Sequence, residues 1–123
     1  MAGSTTVLTN KTELNYTSEA VKGDGYYGFA DGLHTMSFHV VNFTGRIHLE
    51  ATIVEQPTAT DWFPIDLDTI TSYLQFTNET TTKGTSFEGN FVYLRVKIDR
   101  THLGAATYDA ATHGVLDKVV ILI

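Results

Sequence analysis

The predicted fold depends on residues 33–54, which are "LHTMSFHVVNFTGRIHLEATIV". Apolar residues alternate with polar ones on both sides of 42–45, as in two β-strands that each bury one face. If "NFTG" (42–45) is the turn of a hairpin, one register places apolar residues opposite apolar ones and polar residues opposite polar ones. The apolar pairs are Val40–Ile47, Phe38–Leu49 and Met36–Ala51, and the polar pairs are His39–His48 and Ser37–Glu50. The stretch therefore predicts a β-hairpin.

Other parts of the chain also have the composition of short strands. Alternating or β-branched segments lie at 62–66, 71–77, 86–99 and 115–123. The stretch "NETTTKGT" (78–85) predicts a polar turn between two of them. About seven to nine short strands, with turn signals between them, are typical of sandwich folds. The 123 residues therefore predict an all-β single domain, an antiparallel β-sandwich of jelly-roll-like type.

The chain divides into two regions by composition. Residues 1–22 are polar and rich in threonine, and they predict an extended N-terminal arm or an edge strand. Residues 23–123 predict the β-sandwich domain. This domain begins with "GDGYYGFADG" (23–32), whose Asp-Gly pairs favour turns that need a positive φ.

Charge and composition exclude several functions. A formal net charge of −6 disfavours contact with the phosphate backbone of nucleic acids. The absence of cysteine excludes disulfides and thiolate metal sites. No apolar run approaches the roughly 20 residues of a membrane span. The start "MAGSTTVLTN" lacks the basic and apolar regions of an export signal. We therefore expect neither a nucleic-acid partner nor a membrane partner.

The predicted hairpin places His39 opposite His48 on its polar face. Opposed side chains lie close enough for both imidazoles to bind one metal ion, and Glu50 is a third candidate ligand. The alternative is that both histidines simply face solvent or a partner, because a closed zinc site needs four ligands. Nothing else in the sequence resembles a nucleophile with its base, a carboxylate pair at catalytic spacing or a phosphate-binding loop. We therefore expect no enzymatic activity and no cofactor.

Exposed aromatic residues are the second candidate feature. Tyr26, Tyr27 and Phe29 lie in the glycine-rich segment, and Phe43 lies at the tip of the predicted hairpin. Aromatic side chains anchor protein interfaces and also stack on sugars. These four residues are the predicted partner-binding residues.

Several motifs resemble those of small virion structural proteins. They are "YYGFADGLHTMSFHVVNFTGRIHLEATI", P-x-x-x-D-W-F-x-I, F-x-G-N-F-V-Y-L-R-V-K-I and G-x-L-D-K-V-V-I-L-I. Over about residues 23–123 this pattern is similar to proteins of marine tailed phages, of the contractile-tailed type that infects cyanobacteria. The resemblance implies a particle component without enzymatic activity, and it transfers no site residue.

The resemblance and the composition together predict a capsid decoration or cement protein. We expect it to bind the major capsid protein or another virion protein, as a homo-oligomer or at repeated lattice positions. It would be assembled in the bacterial cytoplasm and located in the virion. One alternative is a neck, tail or baseplate component. An alternative of another class is a carbohydrate-binding module for host glycans that uses Trp62 or Tyr108.

Overall fold

The strands of this protein form one antiparallel sheet. The computed structural model describes residues 4–28, 32–66 and 73–122. Within these ranges the strands are β1 (Ser4–Lys11), β2 (Tyr16–Thr17), β3 (Val21–Lys22), β4 (Leu33–Thr52), β5 (Phe63–Ile65), β6 (Tyr73–Glu88), β7 (Tyr93–Asp99) and β8 (Val115–Leu122). Two helical turns, α1 (Asp24–Tyr27) and α2 (Ala110–His113), and a 3-10 turn at Thr101–Leu103 lie between strands. The predicted antiparallel all-β fold is confirmed.

The sheet curls into two layers because its two longest strands take part in both. In the first layer β1 pairs with β8, β8 pairs with the first half of β4, and that half pairs with the end of β6. In the second layer the other half of β4 pairs with β7 on one side, and with β5 and the start of β6 on the other. The short strands β2 and β3 extend this layer beyond β7.

The core lies between the two layers. Phe38 and Val119 from the first layer join Leu49 and Val96 from the second in one cluster, and all four are 0% exposed. Since each strand alternates apolar and polar residues, only the facing sides of the layers are buried. The part of the chain that the structure describes thus forms its apolar core without a long helix.

The hairpin predicted for residues 33–54 is wrong, because β4 continues through 42–45 as one strand. Its partner is β6, from Leu33 opposite Glu88 to His48 opposite Tyr73. Buried positions of β4 are even-numbered up to Val40 and odd-numbered from Phe43 to Ala51. The change of phase comes from a β-bulge, which inserts one extra residue and turns the strand. A hairpin turn and a bulge therefore produce the same alternation in the sequence.

Two Asn-x-Thr segments build this bulge from opposite strands. Asn42 in β4 and Asn78 in β6 both have φ of +48°. The amide of Asn42 donates to Thr80 Oγ1 at 2.9 Å, and the amide of Asn78 donates to Thr44 Oγ1 at 2.8 Å. Each threonine hydroxyl thus accepts a hydrogen bond from a backbone amide. The bulge would otherwise leave this amide without a partner in the hydrogen-bond ladder between the strands. The predicted turn at 78–85 is wrong, because these residues continue β6.

The N-terminal segment lies within the sheet over its described residues. Ser4–Lys11 form β1 beside β8, with a register shift between Thr6 and Leu8. Further along, β2 and β3 pair with β7 in the other layer. Residues 4–22 therefore contribute one edge strand to the first layer and two short edge strands to the second.

A buried arginine lies behind the bulge of β4. Arg100 is 1% exposed, and its guanidinium carbon lies 4.4 Å from the centre of the Phe43 ring. Its nitrogens donate to the carbonyls of Thr44 at 2.8 Å, Glu13 at 2.6 Å and His113 at 2.9 Å. Burial lowers the pKa of Arg100 from its ordinary value, yet a guanidinium stays protonated under folding conditions. The guanidinium of Arg100 therefore links the bulge, the loop before β2 and the end of α2 by hydrogen bonds to uncharged carbonyl groups.

Gly114 allows the end of α2 to approach the same bulge. Its backbone has φ of +71° and ψ of −166°, a combination that only glycine adopts readily. A Cβ atom at this position would overlap the carbonyl oxygen of Asn42. Because of this close approach, the carbonyls of His113 and Gly114 lie within hydrogen-bond distance of the Arg100 guanidinium.

We expect Arg100→Lys to lower the free energy of unfolding by about 3 kcal/mol, because it removes charge-assisted hydrogen bonds to buried carbonyls. The matched control is Arg46→Lys, whose guanidinium lies on the outer face over Tyr73. This change should cost about 0.5 kcal/mol or less. Urea unfolding measures both. Equal midpoints for the two variants would contradict the structural role of Arg100.

Candidate functional site

Three tyrosines, two exposed and one half-buried, form a cluster where α1 meets the start of β7. The ring centre of Tyr26 lies 5.4 Å from that of Tyr27 and 5.7 Å from that of Tyr93. The ammonium of Lys22 lies 4.4 Å from the centre of the Tyr26 ring. Tyr26 is 46% exposed and Tyr27 is 52% exposed. We call these four residues the tyrosine patch.

Two glycines position α1 against the segment that precedes β7. The amide of Gly25 donates to the carbonyl of Phe91, and the amide of Gly23 donates to that of Val92, both at 2.9 Å. A Cβ atom on either glycine would press against the Phe91 carbonyl oxygen. The sequence "GDGYY" therefore brings α1 close to the sheet and leaves both tyrosines outside.

A buried histidine supports the patch from below. His34 is 0% exposed and stacks on Phe87 with ring centres 5.0 Å apart. Its Nδ1 lies 2.9 Å from the carbonyl of Gly32, which can only accept, so Nδ1 carries the proton. Its Nε2 accepts from the amide of Asp24 at 3.4 Å. The imidazole thus connects α1 with the start of β4.

A cleft of about 340 Å³ opens beside the patch. Tyr26 and Tyr93 supply aromatic walls, and Glu55 and Gln56 supply a carboxylate and an amide. Ring faces with a few hydrogen-bonding groups suit a protein segment or a sugar. No local sequence pattern indicates that Tyr93, Glu55 and Gln56 lie beside Tyr26, because only the pairing of distant strands brings them together.

The four predicted contact residues have different outcomes. Tyr26 and Tyr27 lie on the surface, and their contact with a partner stays a prediction. Phe29 lies outside the described residues. Phe43 is 0% exposed and packs edge-on against Phe76, with ring centres 5.7 Å apart. The prediction for Phe43 is wrong, because the bulge turns its ring into the core instead of exposing it at a hairpin tip.

The predicted opposition of His39 and His48 is also wrong, since both lie on β4, nine positions apart. The ring nitrogens of His39 contact Ser37 Oγ at 3.1 Å and Thr82 Oγ1 at 3.2 Å. Within the described ranges, no three His, Cys, Asp or Glu residues group closely enough to hold a metal ion.

The outer face of the second layer combines aromatic and charged side chains. Arg95 Nε donates to Glu50 Oε1 at 2.8 Å, and its guanidinium lies 4.1 Å from the centre of the Trp62 ring. Tyr108, the other predicted sugar contact, is half-buried and donates to the carbonyl of Gly114 at 2.6 Å. Trp62 is likewise half-buried and packs against Arg95, whereas Tyr108 takes part in the packing around Arg100.

His48 lies on this face among several charged groups. Burial lowers the pKa of His48 below its ordinary value, while the carboxylate of Asp99, 3.5 Å away, acts in the opposite direction. Lys97 and Arg46 lower the pKa further, and Glu50 raises it. Burial raises the pKa of Asp99, but the two hydrogen bonds from Thr101 and the nearby His48 and Lys97 together outweigh it, and the pKa lies below its ordinary value.

Comparisons with known proteins establish a shared fold and no family. No family model and no curated protein matches the chain. The solved structure of the SPBc2 prophage-derived protein YomS matches with a TM-score of 0.53 at 15% identity, over 99% of this chain and 89% of that one. CBM29_1, a family 29 carbohydrate binding module from Piromyces equi, reaches 0.43 at 10% identity, over 98% and 90%. The second value is too low to support an argument, whereas the first shows that a phage-derived protein shares this fold.

Over residues 4–28, 32–66 and 73–122, no helix is long and apolar enough to cross a membrane.

We predict that His48 titrates below 6.5 and that Asp99→Asn lowers its pKa further, because the carboxylate favours the imidazolium. Because the pKa of His48 is lower in the folded state than in the unfolded state, the unfolded state takes up the proton at a higher pH. The stability contributed by neutral His48 is therefore present at neutral pH and is lost as the pH falls below 6.5. NMR titration of the imidazole measures both values. A pKa above 6.5, or an increase in the Asp99→Asn variant, would contradict this electrostatic description.

Proposed function

We propose that this protein is a non-enzymatic structural component of a phage particle, located in the virion as a capsid decoration or cement protein. The observation that carries this proposal is the fold likeness to YomS, a prophage-derived protein, over 99% of this chain. Because the identity is 15%, the likeness itself concerns the fold alone. The phage origin is our inference, and it agrees with the virion-protein motifs in the sequence.

We assign contact with the capsid shell to the tyrosine patch. Tyrosine is enriched among the residues that dominate protein interfaces, and its side chain costs little conformational entropy to immobilise. The rings of Tyr26 and Tyr27 already contact each other in the free protein, so part of the ordering cost of binding is met before contact. Many equivalent shell positions would make individually modest contacts durable.

A carbohydrate ligand in the cleft is the second candidate. Glu55 and Gln56 beside Tyr26 and Tyr93 provide hydrogen-bonding groups next to aromatic rings. Such an arrangement suits sugar hydroxyls above an apolar ring face. This function would place the protein at the host surface instead of the capsid.

A shell-binding experiment tests the first proposal. The wild-type protein should co-sediment saturably with shells assembled from the major capsid protein of the same genome. The double variant Tyr26→Ala/Tyr27→Ala should lose affinity by at least about tenfold, because it removes two exposed anchors. Its unfolding free energy should stay within about 1 kcal/mol of wild type.

The matched control is Leu103→Ala. Leu103 is 39% exposed and lies in the 3-10 turn after β7, at the opposite end of that strand from Tyr93. It should bind shells as the wild type does. Failure of the wild type to bind shells, or equal loss in both variants, would contradict the proposal. Binding to glycans that the double tyrosine variant abolishes, without shell binding, would favour the second candidate.

A further inference from the structure

The arginines on the outer face of the second layer show which surroundings hold a guanidinium on this protein. The guanidinium carbon of Arg95 lies 4.1 Å from the centre of the Trp62 ring. Its Nε donates to Glu50 Oε1 at 2.8 Å, and both charged side chains are half-buried. An aromatic ring and a carboxylate therefore hold this guanidinium together, by a cation–π contact and a charge-assisted hydrogen bond.

Arg46 on the neighbouring strand has similar surroundings, with an amide in place of the carboxylate. Its guanidinium carbon lies 4.5 Å from the centre of the Tyr73 ring, and its Nε donates to Gln75 Oε1 at 3.3 Å. The third arginine of the chain, Arg100, is buried behind the bulge of β4. An aromatic ring beside a side-chain oxygen thus binds an arginine twice on this layer.

The cleft beside the tyrosine patch has the same two elements, but none of the three arginines lines it. Tyr26 and Tyr93 are its aromatic walls, Glu55 supplies a carboxylate and Gln56 supplies an amide oxygen. Its other lining residues are uncharged. Within the part of the chain that the structure describes, Glu55 forms no ion pair. The cleft therefore resembles the two arginine sites without the arginine.

Charge favours a cationic occupant for this cleft. The chain has a formal net charge of −6, and the one charged residue that lines the cleft is Glu55. The ammonium of Lys22 lies over the Tyr26 ring but does not line the cleft, so the Tyr93 ring is left for a further cation. A planar guanidinium can stack on a ring and donate to two acceptors at once, whereas an ammonium is a compact point charge. Arginine therefore fits this cleft better than lysine does.

We infer that the cleft binds an arginine side chain of the partner protein. The guanidinium stacks on Tyr93 and donates to the Glu55 carboxylate and to the Gln56 side-chain oxygen. Arginine is one of the residues that dominate protein interfaces, and here it would lie directly beside the exposed rings of the tyrosine patch. The inference deepens the proposed function and rests on it, because the capsid shell is the partner that would supply the arginine.

Shell binding by two charge variants tests the inference. Glu55→Gln keeps the size of the side chain and its acceptor oxygen but removes the charge, so it should weaken binding about fivefold. The matched control is Glu79→Gln, because Glu79 is exposed and lies at the bulge opposite Phe43. This control should bind as the wild type does. Equal affinities for Glu55→Gln and the wild type would overturn the inference while the proposed function stands.

An NMR titration of the isolated protein separates the inference from the proposed function. Nα-acetylarginine amide should shift the signals of Glu55, Gln56 and the Tyr93 ring, with a dissociation constant on the order of 10 mM. Nα-acetylcitrulline amide, which has a similar shape without the charge, should shift them much less. In Glu55→Gln the response to the arginine amide should be weaker than in the wild type.

The titration has two contrary outcomes. No shift with the arginine amide would overturn the inference, and so would equal shifts with the citrulline amide, which would indicate a site for neutral ligands. Selective arginine binding by a protein that does not bind shells would contradict the proposed function, and it would support an arginine-binding cleft for another protein partner.

Discussion

A single buried charge determines how this sheet can bend. The guanidinium of Arg100 reaches the bulge of β4, the loop before β2 and the end of α2, where it donates to backbone carbonyl oxygens. A guanidinium in a low-dielectric interior is stable only if its donors are satisfied, so these three segments have to meet around it. Loss of any one segment would leave donors unpaired. The two-layered arrangement therefore depends on this contact as well as on the apolar core.

Local alternation was enough to predict the fold class, but it did not determine strand pairing. The segments around Val96 and Val119 alternate as strands do, and both residues are buried in the core. Residues 33–54 have the alternation of a hairpin, whereas the structure pairs them with β6. The distinction depends on Arg100 and on two Asn-x-Thr segments, at Asn42 and Asn78, which are far apart in sequence. Nothing within either segment alone indicates that the other lies opposite.

At the candidate site, too, some features follow from the local sequence and others only from the pairing of distant strands. The glycine-rich segment predicted exposed aromatic residues, and Tyr26 and Tyr27 are exposed because Gly23 and Gly25 let α1 lie against the backbone at Phe91. Tyr93 reaches the patch only through strand pairing, which no local pattern specifies.

Cryo-electron microscopy of the phage particle from the genome that encodes this chain is the most direct test of the proposed function. The account predicts density for a curled, two-layered sheet at repeated positions on the head, with Tyr26 and Tyr27 directed towards the shell. Density confined to the neck, tail or baseplate would contradict a decoration role while keeping a structural one. Purified particles that contain none of this protein would contradict the account as a whole.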